Sequence, residues 1–247
     1  MGLSKEQRDF YWENGFVAVP GVFPPERMAA ARSRYDQLIA TGPKEGGPTP
    51  LQEPEVAKGR AGVPPSSTTI RKFERLVPHE PLFRELASAP ALVEAVASII
   101  GRPVQIMHDQ SQLKPPRVGS AKPPHQDNAY HKIEPPDLTV TAWVAIDEAT
   151  LENGCMRFIP GSHKWGLLDH TPLPGQEHNL SPEGLDLSTE VALPCKAGDV
   201  ALFHTLVLHH SLPNRTDQWR RSFICHYIHP EAHSPLDHGR LPRLQVG

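Results

Sequence analysis

Cysteines are few in this 247-residue chain, which also has no long apolar run and almost no net charge. The three cysteines, Cys155, Cys195 and Cys225, are scattered without CxxC spacing, which argues against a disulfide framework and favours free thiols in a reducing compartment. No apolar run approaches the roughly 20 residues that a membrane-spanning helix needs. The opening string, MGLSKEQRDFYWENGF, has no apolar signal core. We therefore expect a cytoplasmic protein without a membrane partner.

The charge balance gives no electrostatic reason to expect nucleic acid as a partner. Lys and Arg together number 25, Asp and Glu number 28, and the net charge is −3. Hydrophobic residues make up 38% of the chain, which is enough for a core, and the length fits one domain over residues 1–247. The sequence shows neither a heptad seam nor a clear apolar patch, so we expect a monomer or a homodimer.

Residues 1–101 are predicted to form mainly helical support. Three helical stretches stand out: residues 4–14 with Ser4 as N-cap, Pro25 to about Ile39, and residues 80–100, interrupted at Pro90 and ended by Gly101. Residues 41–65 are rich in Gly and Pro and too long for an ordinary connection, so they predict a mobile loop or lid. A disordered insertion without a role fits the same composition.

The second half of the chain has the character of a β structure. Strand-like segments occur at 103–114, 138–146, 155–159, 189–193, 199–208 and 221–229, separated by turn signals. Helices followed by many short strands predict an α+β fold. Its core, over residues 102–230, is expected to be a double-stranded β-helix (a cupin-like jelly roll) with N-terminal and flanking helices, and with a ligand site at the open mouth.

A metal site is indicated by the string PPHQDNAY. Residues i and i+2 of a strand share one face, so His125 and Asp127 can chelate one ion with Gln126 turned away. The apolar run before residue 209 ends in two histidines, and either His209 or His210 could supply a third ligand. Two imidazoles and a carboxylate suit iron(II), and also zinc or manganese. An HxD pair alone is weak evidence in a chain with 14 histidines.

Arg220 narrows the choice of chemistry. It follows His209 by eleven residues and opens the next predicted strand. A guanidinium makes a planar two-point contact with a carboxylate, which a zinc hydrolase does not need. Arg220 beside Arg221 could also be a solvated pair, but its order after the histidines favours an oxygen-activating enzyme with an acid cosubstrate.

Five longer strings carry a family resemblance: HQDNAYH (125–131), LTVTAWVAID (138–147), NGCMRFIPGSHKWG (153–166), AGDVALFH (197–204) and HHSLPNRTDQWRRSF (209–223). With them the chain resembles the phytanoyl-CoA dioxygenase family of iron(II)- and 2-oxoglutarate-dependent oxygenases. The resemblance implies iron ligation by His125, Asp127 and His209, the last chosen over His210 by the HxS pattern. It also implies that Arg220 holds the distal carboxylate of 2-oxoglutarate.

The resemblance implies further cosubstrate contacts from Ser211, Trp143, Gln110 and Lys72. Alternation along the strand places Trp143 with two threonines on one face, although plain core packing also explains a tryptophan there. Gln110 alternates with His108 and Gln112, a polar face that an ordinary core strand would not have. Arg71 competes with Lys72.

The activity implied is that of a dioxygenase that hydroxylates an unactivated C–H bond of a small molecule. It would consume O2 and 2-oxoglutarate and release succinate and CO2. Asp127 disfavours halogenation, because related halogenases lack the metal carboxylate. Desaturation, epimerisation and ring formation remain alternatives within the same chemistry. Two alternatives lie outside this oxygenase chemistry. One is a non-catalytic metal-binding jelly roll that acts as a sensor or interaction module, and the other is a zinc- or manganese-dependent cupin-like enzyme.

Substrate contacts are expected from residues near the metal motif and in the long loop: Tyr130, His131, Lys132, Arg157 and Arg60. The last three could meet an anionic substrate, and Lys132 is best placed because it lies just past the metal pair. A residue of each of these three kinds is more often a plain surface charge.

Overall fold

A computed structural model describes residues 2–42, 46–59, 62, 64–170, 180, 185–235 and 243–246. Its helices are α1 (Lys5–Asn14), α2 (Pro25–Thr41), α3 (Pro54–Ala57), α4 (Leu76–His79), α5 (Pro81–Ala87), α6 (Pro90–Ile100) and α7 (Asn128–His131). The predicted N-cap is confirmed, because Ser4 and Gln7 form a reciprocal capping box at the start of α1. The interruption at Pro90 and the end at Gly101 are confirmed as well.

The strands form two antiparallel sheets. The larger sheet has the order β1 (Phe16–Val19), β9 (Val200–His204), β6 (Thr139–Ala145), β11 (Arg220–Ile228), β4 (Gln105–Lys114), β3 (Ile70–Glu74) and β2 (Thr49–Gln52), with β12 (Leu244–Gln245) also pairing with β4. The smaller sheet has the order β5 (Lys122–His125), β10 (His209–Ser211), β7 (Met156–Phe158) and β8 (Val191–Leu193).

The two faces of β6 show why the chain needs both helices and a second sheet. Val140 and Val144 are buried in a core shared with Leu92 and Val96 of α6. Trp143, on the other face, packs in a separate cluster with Phe158 of the smaller sheet. Alternation along β6 therefore confirms the predicted division of its faces. The helices cover one side of the larger sheet, and the other side encloses a space with the smaller sheet.

Two predictions about elements were wrong. The strand predicted over 199–208 ends at His204, where the chain turns and then enters the smaller sheet as β10. The turn is closed by hydrogen bonds from Val207 N to His204 O and from Leu206 N to His204 Nδ1, so a continuous apolar run conceals a change of sheet.

The stretch 41–65 is not simply a loop, since it contributes β2 and α3, and β2 pairs with β3 at the edge of the larger sheet. Its Glu53 is buried, with 1% exposure. A lid role for this stretch stays a prediction. Within the described part of the chain, no helix has both the length and the apolar character needed to cross a membrane.

Candidate active site

A cavity lies between the two sheets. Its walls come from β4, β6, β9 and β11 of the larger sheet and from β5, β7 and β10 of the smaller one. The residues that line it are Gln110, Gln112, Lys122, His125, Asp127, Trp143, Met156, Phe203, His209, His210, Ser211, Arg220, Ile224 and His226.

Three potential metal ligands converge in this cavity. His125 and His209 are register partners on β5 and β10, and Asp127 directly precedes α7. Oδ1 of Asp127 lies 3.6 Å from Nε2 of His125 and 3.7 Å from Nε2 of His209. The three ligand atoms all lie within 4.8 Å of one another, and the three residues are buried. Among the described residues, this is the one such group.

The strand argument for the HxD pair was wrong, although the two side chains do converge. Asp127 has φ −59° and ψ −31°, which is helical and not extended backbone. Gln126 is buried, and its side-chain amide donates to the backbone oxygens of Gly166 and Leu206 at 2.8 and 2.7 Å. The bend into α7, held by Gln126, therefore brings Asp127 back towards His125.

Both histidines present an unprotonated nitrogen to the carboxylate. Nδ1 of His125 lies 2.9 Å from the carbonyl oxygen of Pro123, and Nδ1 of His209 lies 3.0 Å from that of Val207. A carbonyl only accepts, so Nδ1 carries the hydrogen in each ring and Nε2 keeps its lone pair. Burial lowers the pKa of both imidazoles, which keeps them neutral.

Asp127 is oriented by a relay from the larger sheet. The Thr141 hydroxyl donates to Asp127 Oδ2 at 2.8 Å and lies 3.0 Å from His226 Nδ1. Because that hydroxyl has one hydrogen and gives it to the carboxylate, it accepts from His226. Oδ1 of Asp127 is left facing the two histidines. The lone pairs on the two Nε2 atoms and the carboxylate oxygen repel one another unless a cation lies between them. This donor set therefore fits a divalent cation, as in a two-histidine, one-carboxylate facial triad.

The two candidate third ligands differ in their surroundings. His209 contributes to the triad, whereas Nε2 of His210 lies 2.6 Å from Oε2 of Glu190. His210 also borders the cavity, but its imidazole is engaged by a carboxylate. The geometry therefore favours His209.

Arg220 is built into the cavity wall as a buried cation. The residue is 2% exposed, and its Nη1 donates to Ser222 Oγ at 3.2 Å and to Gln112 O at 3.4 Å. Its guanidinium carbon lies 5.5 Å from the ring centroid of Trp143. Nε has no hydrogen-bond partner within the described part of the chain. Burial lowers the pKa of Arg220 to about 10, so it stays charged at neutral pH. A buried cation with an unmet donor fits an anion.

Arg221 behaves differently, which rules out a solvated pair. It contacts Asp147 through Nε at 2.7 Å and Asp36 through Nη1 at 2.5 Å. Arg221 is buried with 8% exposure and ties β11 to α2, so the two adjacent arginines point to different sides of the sheet with different tasks.

The other predicted cosubstrate contacts are brought together only in part. Trp143, Ser211 and Gln110 line the cavity, and Gln110 Oε1 is buried without a partner among the residues described. Lys72 does not line it, and its Nζ lies 2.8 Å from Oε1 of Glu74. Its competitor Arg71 also lies outside the lining and donates to Ser120 Oγ at 2.7 Å.

The predicted substrate contacts are dispersed. Tyr130 packs edge-on against the His125 ring at 6.0 Å, and His131 is buried against His226, with ring centroids 4.5 Å apart. Lys132 is exposed and has φ 48°, and Arg157 forms an ion pair with Glu190. Arg60 lies outside the described residues.

Sequence reasoning missed Lys122, which lines the cavity although it lies three residues before His125. Strict alternation would put Lys122 on the opposite face. The pairing of β5 with β10 is irregular, because His125 pairs with His209 while Lys122 pairs with Ser211, so two intervening residues of β5 oppose one of β10. Thr141 and His226 were also missed. The first of them shares the face of Trp143, which was the available signal.

The sequence of this chain is similar to the sequences of several known proteins. The family model for phytanoyl-CoA dioxygenase (PhyH) matches residues 11–222. Peroxisomal phytanoyl-CoA dioxygenase of Rattus norvegicus is 33% identical over 235 residues, which cover 91% of this chain and 68% of that protein. The Homo sapiens protein of the same name is 30% identical over 240 residues, covering 94% and 70%.

Solved structures bear on the fold. The non-heme alpha-ketoglutarate-dependent carbocyclase SnoK from nogalamycin biosynthesis superimposes with a TM-score of 0.78 at 22% identity, covering 99% of this chain and 97% of that one. The epimerase SnoN superimposes with a TM-score of 0.72 at 22% identity, covering 93% and 84%. These similarities confirm the predicted α+β jelly-roll fold. The family match and the identity to curated relatives show that the chain belongs to the phytanoyl-CoA dioxygenase family.

Proposed function

We propose that this protein is an iron(II)- and 2-oxoglutarate-dependent dioxygenase that hydroxylates an unactivated C–H bond of a small molecule. One observation carries the proposal: two neutral histidines with one carboxylate, and a buried arginine with an unmet donor, share the same cavity. The ligand set alone fits several divalent metals. The buried cation adds a place for an acid, which supports a 2-oxo acid cosubstrate.

Each residue has a task in this proposal. His125, Asp127 and His209 would hold iron(II), which would supply the oxygen activation that couples decarboxylation of the 2-oxo acid to oxidation of a C–H bond. Arg220 binds the distal carboxylate of 2-oxoglutarate, and Ser211 adds a hydrogen bond there.

Aromatic side chains pack beside the metal ligands and Arg220. Phe203 packs against the His209 ring with a centroid distance of 4.7 Å, and Phe158 lies at 5.9 Å from the same ring. Trp143 covers the guanidinium of Arg220. An apolar wall of this kind strengthens the electrostatic contacts of the bound acid and limits side reactions with water.

Hydroxylation is preferred over halogenation because Asp127 supplies the metal carboxylate, and its Oδ2 is anchored by Thr141. With iron(II) bound, this carboxylate would hold the coordination position that a halide would need. The family name refers to an acyl-CoA substrate, but the cavity-lining residues contain no feature that requires a CoA group. We therefore propose a small-molecule substrate without assigning a carrier.

The decisive experiment is an anaerobic titration of iron(II) and 2-oxoglutarate into the metal-free protein, following the weak visible metal-to-ligand charge-transfer band. We expect a saturable band that weakens in Arg220→Ala and is retained in Arg215→Ala, a control at an exposed arginine five residues away. Succinate release with candidate small molecules would then identify the substrate. If iron binds at His125 and Asp127 but no band forms, the protein is a metal-binding module or uses another metal.

A further inference from the structure

Four cationic side chains, which we call the basic cluster, lie close enough to interact electrostatically, on four different strands: Arg71 (β3), Lys114 (β4), Lys122 (β5) and Arg220 (β11). Burial lowers the pKa of Lys114, Lys122 and Arg220, and the nearby guanidinium of Arg71 lowers each of them further. Lys122 is affected enough to have a pKa of about 7. Like charges that raise one another's free energy in this way are stabilised by an anion bound between them.

Two members of the basic cluster have structural contacts that explain them. Lys114 donates from Nζ to the carbonyl oxygen of Ser120 at 2.5 Å. Arg71 donates to Ser120 Oγ at 2.7 Å, and its Nη1 lies 3.7 Å from Oε2 of the buried Glu53. Glu53 in turn accepts from Ser120 Oγ at 2.5 Å. These contacts fasten the turn after β4 to the segment that carries Glu53, and neither cation lines the cavity.

The other two members, Lys122 and Arg220, do line the cavity. Lys122 Nζ donates to the hydroxyl of Tyr130 at 2.7 Å and lies 5.1 Å from the centroid of its ring. The same ring packs edge-on against His125, and the Asp127 carboxylate is close enough to raise the Lys122 pKa. The ammonium therefore stands beside the metal ligands.

We propose that Lys122 and Tyr130 form a second carboxylate-binding position in the cavity, next to the metal ligands and distinct from Arg220. The proposal rests on the function proposed above and deepens it. An ammonium has three N–H donors, so Lys122 can hold Tyr130 and a carboxylate oxygen together. The Tyr130 hydroxyl, which accepts from Lys122, also carries one O–H donor. The carboxylate would be either the one next to the keto group of the cosubstrate or an acid group of the substrate.

The test compares Lys122→Met and Tyr130→Phe with wild type and with Lys196→Met, the same substitution at an exposed lysine. Tyr130→Phe keeps the ring against His125 and removes only the hydroxyl, so it remains informative if Lys122→Met folds poorly. Two 2-oxo acids are titrated anaerobically with iron(II): 2-oxoglutarate, and 2-oxobutyrate, which lacks the distal carboxylate. Hexanoate is then added to protein loaded with iron(II) and 2-oxoglutarate, as a carboxylate probe for the substrate position.

If the position holds the cosubstrate, Lys122→Met raises the Kd of both 2-oxo acids at least tenfold, and Tyr130→Phe raises both less. If it holds a substrate acid, both Kd values are unchanged, and hexanoate perturbs the band of wild type but not of Lys122→Met. If Lys122→Met raises the Kd of 2-oxoglutarate alone, Lys122 binds the distal carboxylate as Arg220 does, and the proposal is wrong. The proposal is also wrong if neither the Kd values nor the response to hexanoate changes. Absence of the band in wild type would instead reject the proposed function, and the second position with it.

Discussion

The hydroxyl of Thr141 donates to Oδ2 of Asp127 at 2.8 Å, and this contact joins the two sheets at the centre of the site. Thr141 lies on β6 of the larger sheet, whereas Asp127 follows β5 of the smaller one. The carboxylate is thereby fixed with Oδ1 towards the histidines. An outer contact of this kind orients a ligand before the metal arrives.

Replacing Thr141 with Val should weaken iron(II) binding by about 10- to 100-fold, since the carboxylate loses the contact that orients it. The matched control is Thr139→Val, two residues earlier on the same face of β6, where the lost hydrogen bond goes to the carbonyl oxygen of Tyr227. Metal affinity measured by titration separates the two variants. Equal affinity in both would show that Thr141 only supports the fold.

Replacing Arg220 with Met should raise the Kd for 2-oxoglutarate by about 10- to 100-fold, because a charge-assisted contact of roughly 1.5–3 kcal/mol is lost. Iron(II) affinity without cosubstrate should stay unchanged. Arg221→Met provides the contrast: it removes ion pairs to Asp147 and Asp36 and should lower the melting temperature without altering the Kd. An unaltered Kd in Arg220→Met would remove this residue from the cosubstrate site.

The two adjacent histidines should differ in their effect on metal binding. His209→Ala removes a ligand and should abolish stoichiometric iron(II) binding, whereas His210→Ala should keep it, because His210 contacts Glu190. Equilibrium dialysis with iron(II) under anaerobic conditions measures both. Loss of iron in His210→Ala alone would reverse the assignment.

Asp109 should make the fold less stable as the pH rises from about 4 to about 7. Burial raises its pKa from 3.8 to about 6, while Oδ1 accepts from the backbone N–H groups of Leu76 and Val77. The unfolded chain loses the proton first, so the stability contributed by the neutral group is complete below pH 3.8 and is lost as the pH passes 6. The difference corresponds to roughly 3 kcal/mol at most.

Urea unfolding of wild type and Asp109→Asn at several pH values measures this effect. The amide keeps an acceptor for the two N–H groups and cannot ionise, so the variant should lose less stability between pH 4 and pH 7. Asp169→Asn, at an exposed position, controls for a general change in charge. Parallel pH profiles for all three proteins would contradict the prediction.

The sequence was sufficient for the parts of the site that depend on residue type and regular alternation. His125, Asp127 and Arg220 could be selected by ligand chemistry and order, and Trp143 was placed on its correct face. The choice of His209 over His210 needed the family resemblance. Irregular backbone could not be anticipated. The helical turn at Asp127 and the uneven pairing at Lys122 each break a period of two, and the apolar run before His209 hides the passage from one sheet to the other.

The structure of the stretch 41–65 also could not be predicted from the sequence. Its Gly and Pro content describes local flexibility, but Glu53 is held by partners far along the chain at Ser120 and Arg71. Such long-range contacts leave no periodic signal in the sequence. Glu53 is therefore part of the structure that supports the cavity wall, which composition alone does not indicate.

The metal ligands and Arg220 belong to opposite layers of the molecule: His125 and His209 lie in the smaller sheet and Arg220 in the larger one. A dicarboxylic cosubstrate bound as proposed would act as a cross-link between the layers. The length of the cosubstrate would then have to match the separation of the two sheets. A diacid one methylene shorter or longer would either strain the packing of the sheets or lose its contact with one of them. Selectivity for a five-carbon diacid would therefore depend on the packing of the two sheets against each other and not only on the residues that contact the diacid.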